Sequence, residues 1–268
     1  MRSVWRDLPV DVRDAVQEHS GHVTDVRPVN GGNHSDIACT LYSDSGAVFL
    51  KGAYAGGQSG ESGIRSLRHE ARIDPQMAQY APRLLWHVEV GGWLLLGFEY
   101  MTGRHADFAP GSPDLHLIAN IIEGLQATSC PDSVTRRIER PWSGFLSDIS
   151  ALAGESLIHM DLNPKNILVT AERAYVVDWA WACKGAAWAE LGIFTTWLLD
   201  VGHTPKEADE WLRRFDAWRF ADRKSIGILA NANAERWREN ASRDAPDWAK
   251  LIAHSAEIWQ EYRLSQHG

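Results

Sequence analysis

The sequence has few cysteines and no long apolar run. Its three cysteines, Cys39, Cys130 and Cys183, form no C-x-x-C pair, so neither a disulfide framework nor a zinc knuckle is expected. No segment approaches the roughly 18 apolar residues that a membrane-spanning helix needs. No apolar stretch follows the first residues as in a secretory signal. We therefore predict a cytoplasmic protein with reduced thiols and no membrane partner.

Positive charge is also scarce. The chain has 27 Lys and Arg against 35 Asp and Glu, a formal net charge of −8. This balance disfavours nucleic acids and anionic membranes as partners, and it favours a cationic small molecule. The 268 residues are enough for one or two domains with a sizeable core. Whether the protein is a monomer or a dimer stays open.

The two parts of the chain differ in periodicity. Short β-branched or alternating segments predict strands over 23–29, 37–42, 47–51, 83–90 and 93–100. A helical pattern over 62–80 lies among them. Further on, apolar residues recur at three and four positions over 115–125, 142–149, 208–215 and 248–259, which indicates helices, with two short strands at 167–169 and 174–177. We predict an α+β protein with a small antiparallel β-domain, 1–100, and a larger helical domain, 101–268.

The most informative polar residues lie between Leu157 and Asp178. Asp161 and Asn166 stand five apart on a polar loop that runs into an apolar strand, and Asp178 ends the next apolar strand. Mg²⁺ prefers oxygen ligands and takes only one or two from protein, so Asn166 and Asp178 are candidate ligands. Asp161 would then accept the proton of an attacking hydroxyl. Each residue alone is as compatible with a loop cap or a strand end; their combination is not.

The combination is H-x-D-x4-N and, further along the chain, two apolar residues followed by Asp. It resembles the loops of the aminoglycoside phosphotransferase and choline kinase family, relatives of the protein kinases. The resemblance implies a bilobal, protein-kinase-like fold, with a nucleotide-binding β-lobe over 1–100 and the catalytic loop and substrate site in the helical lobe over 101–268. It also implies that His159 is the structural histidine of the catalytic loop, Asp161 the catalytic aspartate, and Asn166 and Asp178 the magnesium ligands. Met160 stands where the family commonly has glycine. The sequence Asp-Trp-Ala from Asp178 replaces the Asp-Phe-Gly of protein kinases.

A kinase of this type needs a cation for the nucleotide phosphates. Lys51, on the third predicted strand, is the candidate by this resemblance, and Glu70, nineteen residues later on a helix, would orient its ammonium. An ordinary surface lysine and an ordinary helix glutamate are the alternatives. ATP or GTP, with Mg²⁺, is the expected cofactor.

Two further segments resemble nucleotide-binding parts of the family. The turn from Asn30 to Asp36, with Asn33 and Ser35, lies where backbone N–H groups approach phosphates. It is also compatible with a plain hairpin turn. Residues 99–101, including Glu99 and Met101, follow a hydrophobic strand, and backbone groups there would contact the adenine edge.

The acceptor end is less defined. Glu190 lies near where relatives often carry an aspartate that braces the catalytic loop. Acidic side chains of the helical part could attract an amine or could be solvated helix faces: Asp200, Glu207, Asp209, Glu210 and Glu235.

We predict an enzyme that transfers the γ-phosphoryl group of ATP or GTP to a hydroxyl of a small molecule. By resemblance the leading acceptor is an antibiotic such as an aminoglycoside, and the activity would give resistance or self-protection. The alternatives are a choline, ethanolamine, homoserine or sugar kinase, and a nucleotide-binding module without activity. A metal-dependent phosphohydrolase built on His159, Asp161 and Asp178, or a protein kinase, fits the residues less well.

Overall fold

The computed structural model describes residues 3–29, 35–146 and 148–266. These residues form two compact units. The first contains the chain up to Gly103 together with Tyr175–Ala180, and the second contains Arg104–Ala174 and the chain from Trp181 onward. The assignment of nucleotide binding to one part of the chain and acceptor binding to the other stays a prediction.

The first unit is an antiparallel sheet with two helices. Its elements are α1 (Val10–Ser20), β1 (Val23–Pro28), β2 (Ile37–Ser43), β3 (Gly46–Tyr54), α2 (Gly60–Ile73), β4 (Leu84–Val90) and β5 (Trp93–Glu99). The strand order is β1-β2-β3-β5-β4. Between β4 and β5, Gly91 and Gly92 have φ of 57° and 79°, which a two-residue hairpin turn of this kind requires and which side chains with a Cβ resist.

Apolar residues on the two faces of this sheet form separate clusters. Leu41, Leu50 and Leu95 pack against Val12 and Val16 of α1. On the other face, the buried side of α2 packs on residues such as Leu94 and Leu96. Helix α2 ends at Ile73, earlier than the predicted 62–80 helix, because Pro75 follows and disfavours helical geometry at the residue before it.

The second unit is mainly helical. Its elements are β6 (Arg104–His105), α3 (Asp114–Ala127), α4 (Glu139–Trp142), β7 (Ser156–Ile158), β8 (Ile167–Val169), β9 (Ala174–Val176, which continues into the first unit), β10 (Cys183–Gly185), α5 (Ala187–Asp200), α6 (Pro205–Leu212), α7 (Asp216–Arg219), α8 (Arg223–Asn240) and α9 (Asp247–Ser265). Strand β7 pairs with β10, and β6 pairs with β8, both antiparallel. Helices α8 and α9 pack on each other and on α5.

The α+β prediction is confirmed, and one predicted helix is wrong. Of the predicted helix over 142–149, the described residues 143–146 and 148–149 are not helical: α4 ends at Trp142 and a short 3-10 turn follows at 150–152. Ser143 and Gly144 are poor helix formers. The apolar residues of this segment, Trp142, Phe145 and Leu146, instead pack on the core cluster of the second unit. No helix among the described residues is long and apolar enough to cross a lipid bilayer.

Candidate active site

Lys51 is held by two carboxylates inside the first unit. It lies on β3, opposite Ala38 of β2 and Leu96 of β5. Its Nζ donates to Oε2 of Glu70 at 2.9 Å and to Oδ1 of Asp178 at 2.8 Å. The structure thus brings together three predicted site residues that are far apart in the sequence.

Because the side chains of this ion cluster are largely buried, each charge depends on its partners for stabilisation. The side chains of Lys51 and Glu70 are 11% and 3% exposed, and that of Asp178 is 27% exposed. Burial lowers the pKa of Lys51, but the charges of Glu70 and Asp178 and their hydrogen bonds raise it by more, so the ammonium stays charged. The cluster is most open at Asp178, and a ligand would meet it from that side.

Asp178 has an unusual backbone conformation. Its φ is 65°, in the left-handed region, which aspartate tolerates better than most residues. The next side chain, Trp179, is buried, and its Nε1 donates to the carbonyl of Val176 at 3.2 Å. The tryptophan therefore anchors the turn that directs the Asp178 carboxylate towards Lys51.

The Asp161 carboxylate in the second unit is held by two amides. Nδ2 of Asn163 donates to Oδ1 at 2.8 Å, and Nδ2 of Asn166 donates to Oδ2 and to the Asp161 carbonyl, both at 2.9 Å. The Asp161 N–H donates to Nδ1 of the buried His159 at 3.3 Å. The two amides therefore fix the orientation of the carboxylate.

Glu190 of α5 holds the same loop through hydrogen bonds to its backbone. Its carboxylate accepts the backbone N–H groups of His159 and Met160. Burial raises the pKa of Glu190 to about 7; the two N–H donors oppose this rise and the charge of Asp161 adds to it. Met160 has φ of 73°, so the residue in the family's glycine position adopts a backbone conformation that glycine adopts without strain.

The remaining predicted site residues have plainer surroundings. Asn33 lies outside the described residues. Ser35 is buried, Met101 is half-buried, and Glu99 pairs with Arg83, with Nε and Oε2 3.2 Å apart. Their roles in nucleotide binding stay predictions.

Two of the acidic residues considered for amine binding make side-chain hydrogen bonds within the protein. Glu207 closes a capping box at the start of α6 with Thr204. Asp209 is buried and accepts from Nε and Nη2 of Arg213 at 3.0 and 2.9 Å. Both carboxylates are therefore engaged within the protein.

Sequence reasoning missed Asn163. Its side chain donates to Asp161 and also accepts the N–H of Lys165 at 2.8 Å, which caps the 3-10 turn at Pro164–Asn166. An asparagine directly before proline at a turn start is a recognisable capping signal. The second contact, to the catalytic loop carboxylate, has no such local signal.

Each unit, taken by itself, contains a predicted oxygen ligand for Mg²⁺: Asp178 in the first and Asn166 in the second. Within the described ranges, no group of three or more His, Cys, Asp or Glu side chains is arranged to hold a metal ion. Magnesium needs fewer, because it keeps several waters and uses substrate phosphates. The Asp178 carboxylate is partly open, and Asn166 uses its amide nitrogen for Asp161, which leaves the amide oxygen as a possible ligand. Each of these two side chains therefore has an oxygen of the kind that Mg²⁺ binds, and their joint role as ligands stays a prediction.

Comparisons with known proteins agree with this geometry. The model of the APH phosphotransferase enzyme family matches residues 109–226, which include the loop of Asp161 and Asn166 and also Asp178. No curated protein sequence matches the chain.

Solved structures share the fold at low sequence identity. A choline kinase from Streptococcus pneumoniae is 12% identical, with a TM-score of 0.64 over 94% of this chain and 99% of that one. The GDP complex of aminoglycoside 2'-phosphotransferase-IIIa is 12% identical, with a TM-score of 0.63 over 96% and 99%. A thermostable mutant of aminoglycoside phosphotransferase APH(4)-Ia is 14% identical, with a TM-score of 0.60 over 93% and 98%.

These findings confirm the resemblance to aminoglycoside phosphotransferases and choline kinases and the kinase-like α+β fold. The family match also supports phosphotransferase activity.

Proposed function

We propose that this protein transfers the γ-phosphoryl group of ATP or GTP to a hydroxyl of a small molecule. The observation that carries the proposal is the buried Lys51 ammonium held jointly by Glu70 and Asp178. An ammonium fixed in this way can bind nucleotide phosphates. The carboxylate beside it is partly open, which leaves room for a ligand. A GDP complex of a similar fold makes GTP as reasonable a donor as ATP.

By the family resemblance, Asp178 and Asn166 are the proposed magnesium ligands. When bound, it neutralises charge that develops on the phosphates. The protein's own part is positioning. Lys51 binds the phosphates, and Glu70 orients its ammonium. The turn residues Ser35 and Asn33 and the segment Glu99 to Met101 are proposed to contact the nucleotide.

Asp161 is the proposed catalytic residue. Its carboxylate aligns the acceptor hydroxyl and takes its proton as the new O–P bond forms and the bond to the leaving nucleoside diphosphate breaks. The amides of Asn163 and Asn166 hold the carboxylate in place, which removes the orientational freedom that the reaction would otherwise have to restrict. His159 supports the loop through the Asp161 N–H.

The leading acceptor is an antibiotic hydroxyl, as in an aminoglycoside, so that the reaction would give resistance or self-protection. Choline, ethanolamine, homoserine and sugars are the other acceptors to test. The structural similarity to aminoglycoside phosphotransferases and to a choline kinase supports both groups.

The test is to incubate the purified protein with ATP or GTP, Mg²⁺ and this panel, and to detect an added phosphate by mass spectrometry. Asp161→Asn, which keeps the side-chain size, should lower turnover by about 10²- to 10⁴-fold with nucleotide affinity nearly unchanged. The matched control is Asp132→Asn, an exposed aspartate of the same unit. Normal turnover by Asp161→Asn would reject the assigned role.

The same assay separates the rival functions. Nucleotide binding without consumption in the presence of every acceptor would indicate a binding module. Release of phosphate from esters without nucleotide would indicate a phosphohydrolase. Label on a polypeptide would indicate a protein kinase.

A further inference from the structure

Arg236 of α8 lies beside the catalytic loop and contacts an aromatic ring. Its guanidinium carbon is 4.9 Å from the centre of the Trp142 ring. Trp142 is fully buried and belongs to the same core cluster as Ile158 and Met160, which flank His159 in the loop. Contact with this buried ring limits where the guanidinium can lie.

Within the described ranges, the hydrogen-bonding groups of Arg236 have no partner in the protein. Among the residues that the structure describes, its side chain makes no hydrogen bond and no ion pair, and the Trp142 contact is its one stacking partner. Another half-exposed arginine of this unit behaves differently, since Arg213 binds Asp209 through two nitrogens. A half-buried guanidinium without a carboxylate is uncommon, because its desolvation is not offset.

Asp161 is close enough for its charge to act on Arg236. Burial lowers the pKa of Arg236, and the Asp161 charge raises it. The two nevertheless form no ion pair, and the Asp161 oxygens instead accept from Asn163 and Asn166. Arg236 therefore keeps its planar set of N–H donors available next to the residue that would receive the acceptor's proton.

The chemistry of this arrangement specifies a ligand group. A planar guanidinium pairs with carboxylate or phosphate through two parallel hydrogen bonds, and it repels an ammonium. We infer that Arg236 is an acceptor-binding residue, and that the acceptor carries a carboxylate or phosphate group near the hydroxyl presented to Asp161. The inference rests on the proposed phosphoryl transfer and narrows its acceptor class.

This acceptor differs from the one that net charge alone favours. The formal charge of −8 is spread over the whole chain, whereas selectivity is decided by the charges that touch the substrate. An antibiotic or metabolite with an acidic group would fit Arg236, and a polycationic aminoglycoside would place an ammonium against it.

The test uses acceptor pairs that differ only in an anionic group. Glycerate and glycerol, serine and ethanolamine, and glycerol 3-phosphate and glycerol are phosphorylated with ATP and Mg²⁺ under identical conditions. We expect the anionic member to have at least a tenfold higher kcat/KM. The carboxylate and phosphate arms tell which anion is preferred.

Variants of Arg236 then assign the preference to this side chain. Arg236→Gln should raise KM for the anionic acceptor by about 10- to 100-fold, leaving KM for ATP unchanged, and Arg236→Lys should restore part of the loss. Arg236→Glu should reverse the ratio of kcat/KM between the anionic acceptor and the other member of its pair. This ratio does not depend on the folded fraction, because both acceptors are measured with the same preparation. Arg238→Gln, an exposed neighbour on α8, is the matched control and should keep the parent's ratio.

Two kinds of result would overturn the inference. The first is the absence of a preference for the anionic member in every pair, including the case in which no anionic member is phosphorylated. The second is a fall in kcat of Arg236→Gln that is equal for charged and neutral acceptors, since this would place the side chain on the transferred phosphoryl group. If the parent protein phosphorylates cationic acceptors alone, the inferred acceptor class is refuted but the proposed function is supported. If the parent protein neither binds nucleotide nor phosphorylates any acceptor, both are refuted.

Discussion

Replacement of Glu190 by glutamine should change how stability depends on pH. Burial raises the pKa of Glu190 from an ordinary 4.5 to about 7. Below pH 4.5 the folded and unfolded chains both hold the proton. Between these two values the unfolded chain releases it and the folded chain keeps it, so rising pH favours unfolding. The contribution of Glu190 is fully present at low pH and is lost as pH rises to about 7.

The size of the effect follows from the same two values. Each pH unit in this window changes the free energy of unfolding by roughly 1.4 kcal/mol, so the whole window accounts for about 3 kcal/mol. Glutamine at position 190 resembles the protonated acid and does not titrate. Other carboxyl groups titrate equally in both proteins and cancel in the comparison. The difference in stability between Glu190→Gln and the parent should therefore shift by about 3 kcal/mol in favour of the variant from pH 4.5 to pH 8.

Urea unfolding followed by tryptophan fluorescence measures this difference, because the chain has 13 tryptophans. The control is Glu239→Gln, an exposed glutamate of α8, whose stability should follow the parent's at every pH. Parallel curves for Glu190→Gln and the parent would show that the buried carboxyl does not hold its proton and would refute the reasoning.

Three further substitutions test two buried ion pairs and one strained backbone position. Lys51→Met leaves Glu70 buried without its cation and should lower the free energy of unfolding by about 3–5 kcal/mol, with loss of nucleotide binding measured by calorimetry. Asp209→Asn removes the carboxylate that faces the buried Arg263, with Oδ1 3.6 Å from Nη1, and should cost about 3–5 kcal/mol in urea unfolding. At Met160, glycine should be more stable than alanine by about 1 kcal/mol, the reverse of the usual order, because φ there is 73°.

Exposed pairs provide the controls for these variants. Lys206→Met, from a pair with Glu210, and Asp216→Asn, from a pair with Arg219, involve side chains that are mostly in solvent and should leave stability nearly unchanged. Equal losses for buried and exposed pairs would contradict the argument from burial. A Met160→Ala protein more stable than Met160→Gly would contradict the argument from backbone strain.

The parts of the fold that the sequence predicted are those with strong local patterns. The hairpin at Gly91 and Gly92 and the strands around it combine alternation with turn glycines. The loop of Asp161 and Asn166 could be found because its polar residues and the following apolar strand are contiguous. The contact of Asp178 with Lys51 required the resemblance as well, since 127 residues separate them.

Elements without a clear period were missed. Helix α5 buries residues on all sides, so its sequence shows no apolar stripe. Helix α1 buries only Val12, Val16 and Ser20, too few for a convincing pattern. Glu190 could be located only through the resemblance, and Arg236 was missed, because a glutamate or arginine on a helix looks the same in sequence whether it faces water or a loop brought near by the fold.

The short stretch Tyr175–Ala180 belongs to the first unit although the chain enters it from the second. A fragment that stops at Gly103 would therefore lack Asp178, and its Lys51 would retain Glu70 as the sole carboxylate partner of the three-membered cluster. Dissection of this protein at the obvious boundary should yield an N-terminal piece that is incomplete, and restoring it would require the later hexapeptide to be grafted on or supplied in trans.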